Sequence, residues 1–150
     1  MPSEQELAAR SLLEVMPRAM RTLGMEMRQL GPNLPPGHVG LLKLLSHGPH
    51  RLTELAGHHA VSAPTMSNTV TTLAVRGWVE RVRDPQDRRS VLIQITPDGR
   101  AVLAGIDQRL SARVADMCAS LSAADCQDLQ RGLAVIRRVF ARDQDGGDNR

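Results

Sequence analysis

Residues 62–76 constrain the fold most, because this stretch combines a clear start, one apolar face and a clear stop. Ser62 is a plausible N-cap, and Pro64 falls in the first turn, where its missing N–H costs nothing. Gly77 is the expected left-handed residue after the last turn. Apolar side chains recur every three or four residues, which predicts a helix with one buried face. The predicted buried face consists of Met66, Val70 and Leu73.

The segments on either side complete a recognisable arrangement. Thr53 can cap a short helix that runs to about His59, and a tight link then leads to the helix described above. Residues 78–83 and 90–96 are rich in β-forming side chains, and a polar turn separates them. Two short helices with a tight turn, followed by a basic hairpin, predict a winged helix-turn-helix over residues 37–96.

Long helices are predicted on both sides of this region. From residue 6 to residue 30 the apolar positions follow steps of three and four, with a bend expected at Pro17. Such a helix would span about 38 Å, more than a small domain covers alone, so we expect its apolar stripe to meet a second chain. Residues 31–37 break this helix, and a short, largely buried helix is predicted over residues 38–46.

A long helix is expected to begin at Thr96 and Pro97 and to reach about residue 120. Ser122 and Asp125 resemble a capping box that opens a last helix. The predicted fold is therefore mainly α with a small β-hairpin wing, a winged helix-turn-helix flanked by N- and C-terminal dimerisation helices. We assign the flanking helices to residues 3–36 and 97–142 of a single domain, 1–150, and expect a disordered tail over 143–150.

Composition restricts the class of partner. The chain has 150 residues, 41% hydrophobic and 23% charged, which is ordinary for one soluble domain. Its start is acidic and no apolar run could cross a bilayer, so we expect a cytoplasmic protein without a membrane partner. Of its 19 basic residues only Lys43 is lysine, and arginine suits forked contacts with phosphate and guanine. Trp78 and Phe140 are the only aromatic residues, too few to stack single strands, so we expect double-stranded DNA.

The predicted recognition helix presents small polar side chains away from its apolar face. The candidate DNA-binding residues there are Ser62, Thr65, Ser67, Asn68, Thr71 and Thr72. All can donate hydrogen bonds to phosphates or base edges, and the Asn68 amide can pair with adenine at two points. The alternative is a merely solvated helix face.

The hairpin supplies charge. Its candidate DNA-binding residues are Arg81, Arg83, Asp87, Arg88 and Arg89. Asp87 could orient an arginine through a forked ion pair, and an arginine held in this way can enter a narrow, A/T-rich minor groove. Without the preceding helices, an ordinary pair of surface arginines would be the better interpretation.

Five motifs follow one another along the predicted winged region: Leu52-Thr-Glu-Leu-Ala56, Val61-Ser-Ala-Pro-Thr-Met-Ser-Asn68, Leu73-Ala-Val-Arg-Gly-Trp-Val-Glu-Arg81, Asp84-Pro-Gln-Asp-Arg-Arg-Ser90 and Ile95-Thr-Pro-Asp-Gly99. Together they resemble the MarR (multiple antibiotic resistance regulator) family of transcription factors. The resemblance implies a homodimer joined through its first and last two helices and bound to a palindromic operator. It also implies that Arg89 is the minor-groove residue and that Asp87 steadies it. Asn68 departs from the arginine that many relatives carry there, so their base preference cannot be copied.

The resemblance further implies a small-molecule effector between the dimerisation helices and the winged region, and hence a repressor released by that effector. Candidate pocket residues are Met16, Met20, His38, Leu41 and Leu45, with Met25 and Met27 nearby on the first helix. The alternative is that these methionines pack the dimer core.

Other activities have weaker support in the sequence. The histidines between His38 and His59 lack the spacing of a strong metal site, so no metal and no cofactor is predicted. Cys118 and Cys126 could form a thiol switch, but cysteine is usually a small buried residue. No nucleophile elbow, phosphate loop or metalloprotease motif is present, so the chain is not expected to be an enzyme. A redox- or metal-responsive regulator and a non-DNA-binding helical adaptor remain the alternatives.

Overall fold

A computed structural model describes residues 1–30 and 34–141. The chain divides into two compact units, Met1–Ala112 and Arg113–Arg150. The helices are α1 (Glu4–Gln29), α2 (Pro36–Leu45), α3 (Leu52–His58), α4 (Ala63–Val75), α5 (Pro97–Met117) and α6 (Ala123–Ala141). The strands are β1 (His50–Arg51), β2 (Val79–Arg83) and β3 (Val91–Ile95). The mainly helical fold class with a small hairpin wing is therefore confirmed.

α1 begins at a capping box. The Ser3 hydroxyl accepts the Glu6 N–H at 3.2 Å, and the Glu6 carboxylate accepts the Ser3 N–H at 2.8 Å. The helix continues through Pro17 as one element. Near its end, Met27 and Leu30 pack against the core of the first unit.

The core of the first unit lies between α2, α3, α4, the sheet and the first turns of α5. Its largest fully buried side chains are Leu41, Leu42, Leu45, Leu55, Leu73, Ile93, Ile106, Val70 and Val79. α2 is apolar on more than one side, as expected of a central helix, and it buries four residues. α5 approaches the start of β2 so closely that a Cβ on Gly99 would lie 2.1 Å from the Trp78 carbonyl oxygen. Only glycine fits there.

The sheet has three antiparallel strands in the order β1-β3-β2. Val79 pairs with Ile95 at one end of the hairpin and Arg83 with Val91 at the other, which confirms the predicted hairpin. β1 was not predicted, since two residues are too few to show a period-two pattern. Its pairing of Arg51 with Leu92 joins the wing to the start of α3.

The sequence predicted the N-terminal cap of α4 correctly but not that of α3. The prediction that Thr53 caps α3 was wrong, because the helix already begins at Leu52, and the Arg51 N–H donates to the Glu54 carboxylate at 3.0 Å. α4 begins as predicted, with the Thr65 N–H donating to the Ser62 hydroxyl at 3.3 Å. Gly77 follows it with a φ of +75°, the left-handed conformation that glycine tolerates best.

In the second unit, α6 has the capping box that the sequence predicted. The Asp125 N–H donates to the Ser122 hydroxyl at 3.1 Å, and the Ser122 N–H donates to the Asp125 carboxylate at 3.1 Å. The Ser122 hydroxyl also donates to the Asp125 carboxylate at 2.7 Å, and this hydrogen bond, followed by that of the Ser122 N–H, lowers the pKa of Asp125. The tail predicted to be disordered, residues 143–150, lies outside the described residues.

Candidate nucleic-acid interface

α4 separates its side chains into an inner and an outer face. Met66, Val70 and Leu73 are buried, as predicted. The polar candidates Ser62, Thr65, Asn68, Thr71 and Thr72 are exposed, and Ser67 is half-buried. A helix about 10–12 Å across with such an outer face has the dimensions of the DNA major groove.

Local hydrogen bonds hold several of these hydroxyls in place. The Thr72 hydroxyl donates to the Asn68 carbonyl at 3.0 Å, and the Ser62 and Thr65 hydroxyls lie 2.9 Å apart. A hydroxyl that donates to its own helix still has lone pairs to accept from a base or a water. The Asn68 amide makes no hydrogen bond within residues 1–30 and 34–141, so its donor and acceptor are both available to a base edge.

Arg81 joins the wing to α4. Its Nη2 donates to the Thr71 hydroxyl at 3.1 Å, so a β2 side chain fixes a candidate base-contacting residue from outside the helix. The sequence placed both residues in the interface but did not predict the contact between them. This hydrogen bond ties the side chain of Thr71 to the wing.

Two aspartates organise the loop between β2 and β3. One Asp84 carboxylate oxygen accepts the Gln86 N–H at 2.9 Å, and the other accepts from Arg51 Nη2 at 3.1 Å. The Asp87 carboxylate accepts the Ser90 hydroxyl at 2.7 Å and the Arg89 N–H at 3.1 Å. Hydrogen bonds to the charged form lower the pKa of both carboxyls, with the Gln86 N–H first at Asp84 and the Ser90 hydroxyl first at Asp87. Both are ionised at neutral pH.

The forked ion pair expected between Asp87 and an arginine is not formed within the described part of the chain. Asp87 holds the Arg89 backbone instead of its guanidinium, because a carboxylate at a tight turn satisfies the nearest N–H groups first. The side chains of Arg83, Arg88 and Arg89 are exposed and make no ion pair among the described residues. The loop is thus fixed in its backbone while its guanidinium groups stay available.

The residues predicted to line an effector pocket differ in their burial. Leu41 and Leu45 are fully buried in the core, whereas Met20 is 67% exposed on α1. His38 lines a different pocket of about 180 Å³, which also involves Gly37, His59, Val61, Thr65, Met66 and Thr69. The pattern of methionines identified apolar positions on α1 but not their neighbours, since those depend on long-range packing.

His38 and His59 are partly buried in the first unit. Burial lowers the pKa of both imidazoles, and the positive charges of Arg76 and of His58 act in the same direction on His38 and His59 respectively. The His38 Nδ1 atom is buried and has no hydrogen-bond partner in the described structure. The folded structure therefore favours the neutral form of both imidazoles.

Other chemistry finds little support in the geometry. Across residues 1–30 and 34–141, no three His, Cys, Asp or Glu side chains lie close enough to hold a metal ion. Cys118 and Cys126 are half-buried free thiols. None of the described helices is long and apolar enough to cross a membrane.

Sequence reasoning missed three residues near this surface. Arg51 and Asp84 form the ion pair at the base of the wing, and only the β1 pairing, invisible to periodicity, brings them together. Val75 is 84% exposed near the C-terminal end of α4, where a side chain of this kind can contact a thymine methyl group. Val75 does not follow the buried Val70 and Leu73 by three or four residues, and this departure from the period of the inner face could have indicated that it is exposed.

Comparison with known proteins agrees with this fold. The sequence model of the MarR family matches residues 35–91. The chain is 27% identical over 108 residues to the uncharacterised HTH-type transcriptional regulator YsmB of Bacillus subtilis (strain 168), which covers 72% of this chain and 74% of that one.

Two solved structures are similar over most of their length. The transcriptional regulator BldR from Sulfolobus solfataricus has a TM-score of 0.67 at 26% identity, covering 93% of this chain and 100% of that one. Wild-type MarR from E. coli in its apo form has a TM-score of 0.71 at 22% identity, covering 85% and 94%. The winged helix-turn-helix fold, the family match over residues 35–91 and the named regulators together show that this chain resembles the MarR family of transcriptional regulators.

Proposed function

We propose that the chain is a homodimeric repressor that binds a palindromic operator in double-stranded DNA and is released by a small-molecule effector. The observation that carries this proposal is the outer face of α4, where the Asn68 amide, without a hydrogen bond to the described residues, lies among exposed hydroxyls. The exposed guanidinium groups of the wing add to it. Amides and hydroxyls read base edges, and guanidinium groups neutralise phosphates.

In this proposal α4 lies in the major groove and contacts DNA through Ser62, Thr65, Ser67, Asn68, Thr71 and Thr72. Asn68 is the best candidate for direct base recognition, because a free amide can donate to and accept from adenine at once. The hydroxyl groups contact base edges, phosphates and water, and their phosphate contacts position the helix without specifying a sequence.

The wing contributes the second contact. Arg89, with Arg88, is proposed to enter the adjacent minor groove, where a narrow A/T-rich segment has the strongest negative potential. Arg83 lies closer to the base of the hairpin and faces phosphates in this proposal. Asp87 supports Arg89 by holding its backbone N–H.

The flanking regions 3–36 and 97–142, which contain α1, α5 and α6, are proposed to form the dimer. Exposed large apolar side chains of α6 are Leu129, Leu133, Val135, Val139 and Phe140, and those of α1 include Leu7, Leu13, Val15, Met20, Leu23 and Met25. Apolar faces of this extent mark association surfaces in soluble proteins. A second copy suits them because a two-fold dimer places two recognition helices about one DNA turn apart.

Release by an effector requires a ligand that favours one spacing of the two recognition helices. The methionines of α1, Met16 and Met20 among them, supply an adaptable apolar surface that a second copy would enclose. A location in the cytoplasm, where such a ligand meets the protein, belongs to the same proposal.

A gel-shift titration with the DNA directly upstream of the chain's own coding sequence tests the proposal. We expect a retarded band whose affinity falls steeply as salt rises, because several phosphate contacts release counterions. A random duplex of equal length is the control. No retarded band on either duplex would favour the adaptor, whereas a band that responds only to oxidant or metal would favour the redox- or metal-responsive regulator.

A further inference from the structure

We propose that Arg51 is a positioning residue for DNA recognition, which holds the wing arginines in place through its ion pair with Asp84. The inference rests on the proposed function, since it concerns how the wing reaches DNA. Arg51 belongs to β1 and precedes α3, outside both elements assigned to the interface.

The ion pair closes the base of the wing. Arg51 Nη2 lies 3.1 Å from the Asp84 carboxylate, and Asp84 is only 8% exposed. The other oxygen of Asp84 accepts the Gln86 N–H, and the Asp84 N–H donates to the Ser90 carbonyl at 3.0 Å. Asp84 thus fixes both ends of the loop, and Arg51 is the cation that keeps this shielded carboxylate in place.

The backbone of Arg51 is itself held firmly. It pairs with Leu92 in the sheet, and its N–H donates to the Glu54 carboxylate in the first turn of α3. The Arg51 backbone is thus fixed to β3 and α3 while its guanidinium group is bound to Asp84, so the position of β1 constrains the position of Asp84. Through Arg51, the wing is therefore tied to the helix-turn-helix and not only to its own hairpin.

The loop carries this constraint on to Arg89. The Ser90 N–H donates to the Asp87 carbonyl at 2.9 Å, and the Asp87 carboxylate accepts the Arg89 N–H. A continuous set of hydrogen bonds thus runs from Arg51 through Asp84 and Ser90 to the Arg89 backbone. Breaking its first member lets the loop sample more conformations, and ordering them again on DNA costs affinity.

Arg51 could instead act by contacting a phosphate directly, because its side chain is about half exposed. The two roles differ in their coupling to Arg89. A positioning residue acts through Arg89, so its loss has little further effect once Arg89 is gone, whereas a separate phosphate contact adds to the effect of Arg89.

A double-mutant cycle distinguishes them, measured by fluorescence anisotropy on a duplex that the wild-type chain selects from a random-sequence library. We expect Arg51→Met to weaken binding about tenfold in the wild-type background and less than about twofold in the Arg89→Ala background. The matched control combines Arg51→Met with Asn68→Ala, which lies on α4 and not in the wing. The losses of affinity of these two variants should add. Additivity with Arg89→Ala as well would overturn the inference.

Two further variants test the ion pair itself. Asp84→Asn removes the charge but keeps an acceptor for the Gln86 N–H, so it should reproduce the affinity loss of Arg51→Met, and the two together should weaken binding no further. Arg51→Lys keeps the charge and should restore part of the affinity. Full affinity in Asp84→Asn would contradict the role of the pair.

Amide hydrogen exchange of the free protein gives a readout that does not depend on DNA. In Arg51→Met we expect faster exchange confined to residues 84–90, with the amides of α4 unchanged. Unchanged exchange over 84–90 would sink the inference even if DNA binding is seen. If the wild-type chain binds no duplex but the exchange changes as expected, the proposed function fails and the loop constraint stands.

Discussion

The winged region and the two outer helices use their apolar residues in opposite ways. α2 buries four residues in 10 and α4 buries three in 13, so each places an apolar face against its own chain. α1 and α6, fully described over 26 and 19 residues, bury none. The difference indicates that the winged region is stabilised by its own core, whereas α1 and α6 leave most of their apolar side chains exposed, which supports the proposed homodimer.

This comparison predicts the largest effect inside the winged core. Leu73 is fully buried against several elements, so Leu73→Ala should destabilise the chain by about 2–5 kcal/mol, measured by urea unfolding with Trp78 fluorescence. The matched control is Leu133→Ala on α6, where the side chain is 50% exposed. Its effect should be small at low protein concentration and should grow as the chain associates. Equal losses of unfolding free energy in Leu73→Ala and Leu133→Ala at every protein concentration would contradict the difference between the two regions.

The second prediction concerns a charge introduced at Leu133, one of the exposed apolar side chains of α6. Leu133→Glu should convert the dimer to a monomer, because it buries an unpaired carboxylate in the proposed interface. Operator affinity should then fall by at least about 100-fold, since a single recognition helix reads only a half-site. Sedimentation velocity and a gel shift measure the two effects.

Gln130→Glu, an exposed charge change on the same helix, is the control for this variant and should retain both properties. A Leu133→Glu protein that sediments as a dimer would show that α6 does not form the interface. A monomer with full affinity would break the link between dimerisation and operator binding.

The third prediction concerns the wing. Arg89→Ala should weaken operator binding about tenfold without changing thermal stability, because the side chain is exposed and makes no ion pair in the described structure. Arg109→Ala, an equal loss of charge on α5, should have little effect. Equal affinities for the two variants at fixed salt would leave the wing out of recognition.

The smallest effect expected is a dependence on pH. Burial lowers the pKa of His38 and His59 below 6.5, so the unfolded chain binds protons more readily than the folded one. Stability should therefore be constant above about pH 7 and should decrease as the pH falls below about 6.5 towards the lowered values. α1 and α6 contain no histidine, so the change belongs to the winged region.

Trp78 fluorescence melts between about pH 7 and pH 5.5 measure this dependence. His38→Gln should reduce it, because the glutamine side chain does not bind a proton in this pH range. A steeper loss of stability in the variant, or a gain in acid for the wild type, would show that the histidines are stabilised in their charged form.

Local signals allowed most elements to be predicted from the sequence. Caps such as Ser62 and Ser122, the glycine at position 77 and the period of Met66, Val70 and Leu73 depend on neighbours along the chain, and all behave as expected. Polar residues on the outer face of α4 followed from the same period.

The remaining features depend on contacts distant in sequence. β1 is defined by its pairing with β3, and α3 begins directly after it at Leu52. The Arg51–Asp84 pair joins residues 33 positions apart, and no local pattern indicates it. The effector residues stay a prediction for a related reason, since apolar character on α1 does not specify which side chains meet.

Native mass spectrometry of the chain with its selected duplex tests most directly whether paired recognition helices read the DNA. The account predicts two chains per duplex, together with a two-fold symmetric footprint whose halves lie about one helical turn apart. One chain bound per duplex with the same affinity, or a footprint confined to a single half-site, would contradict it.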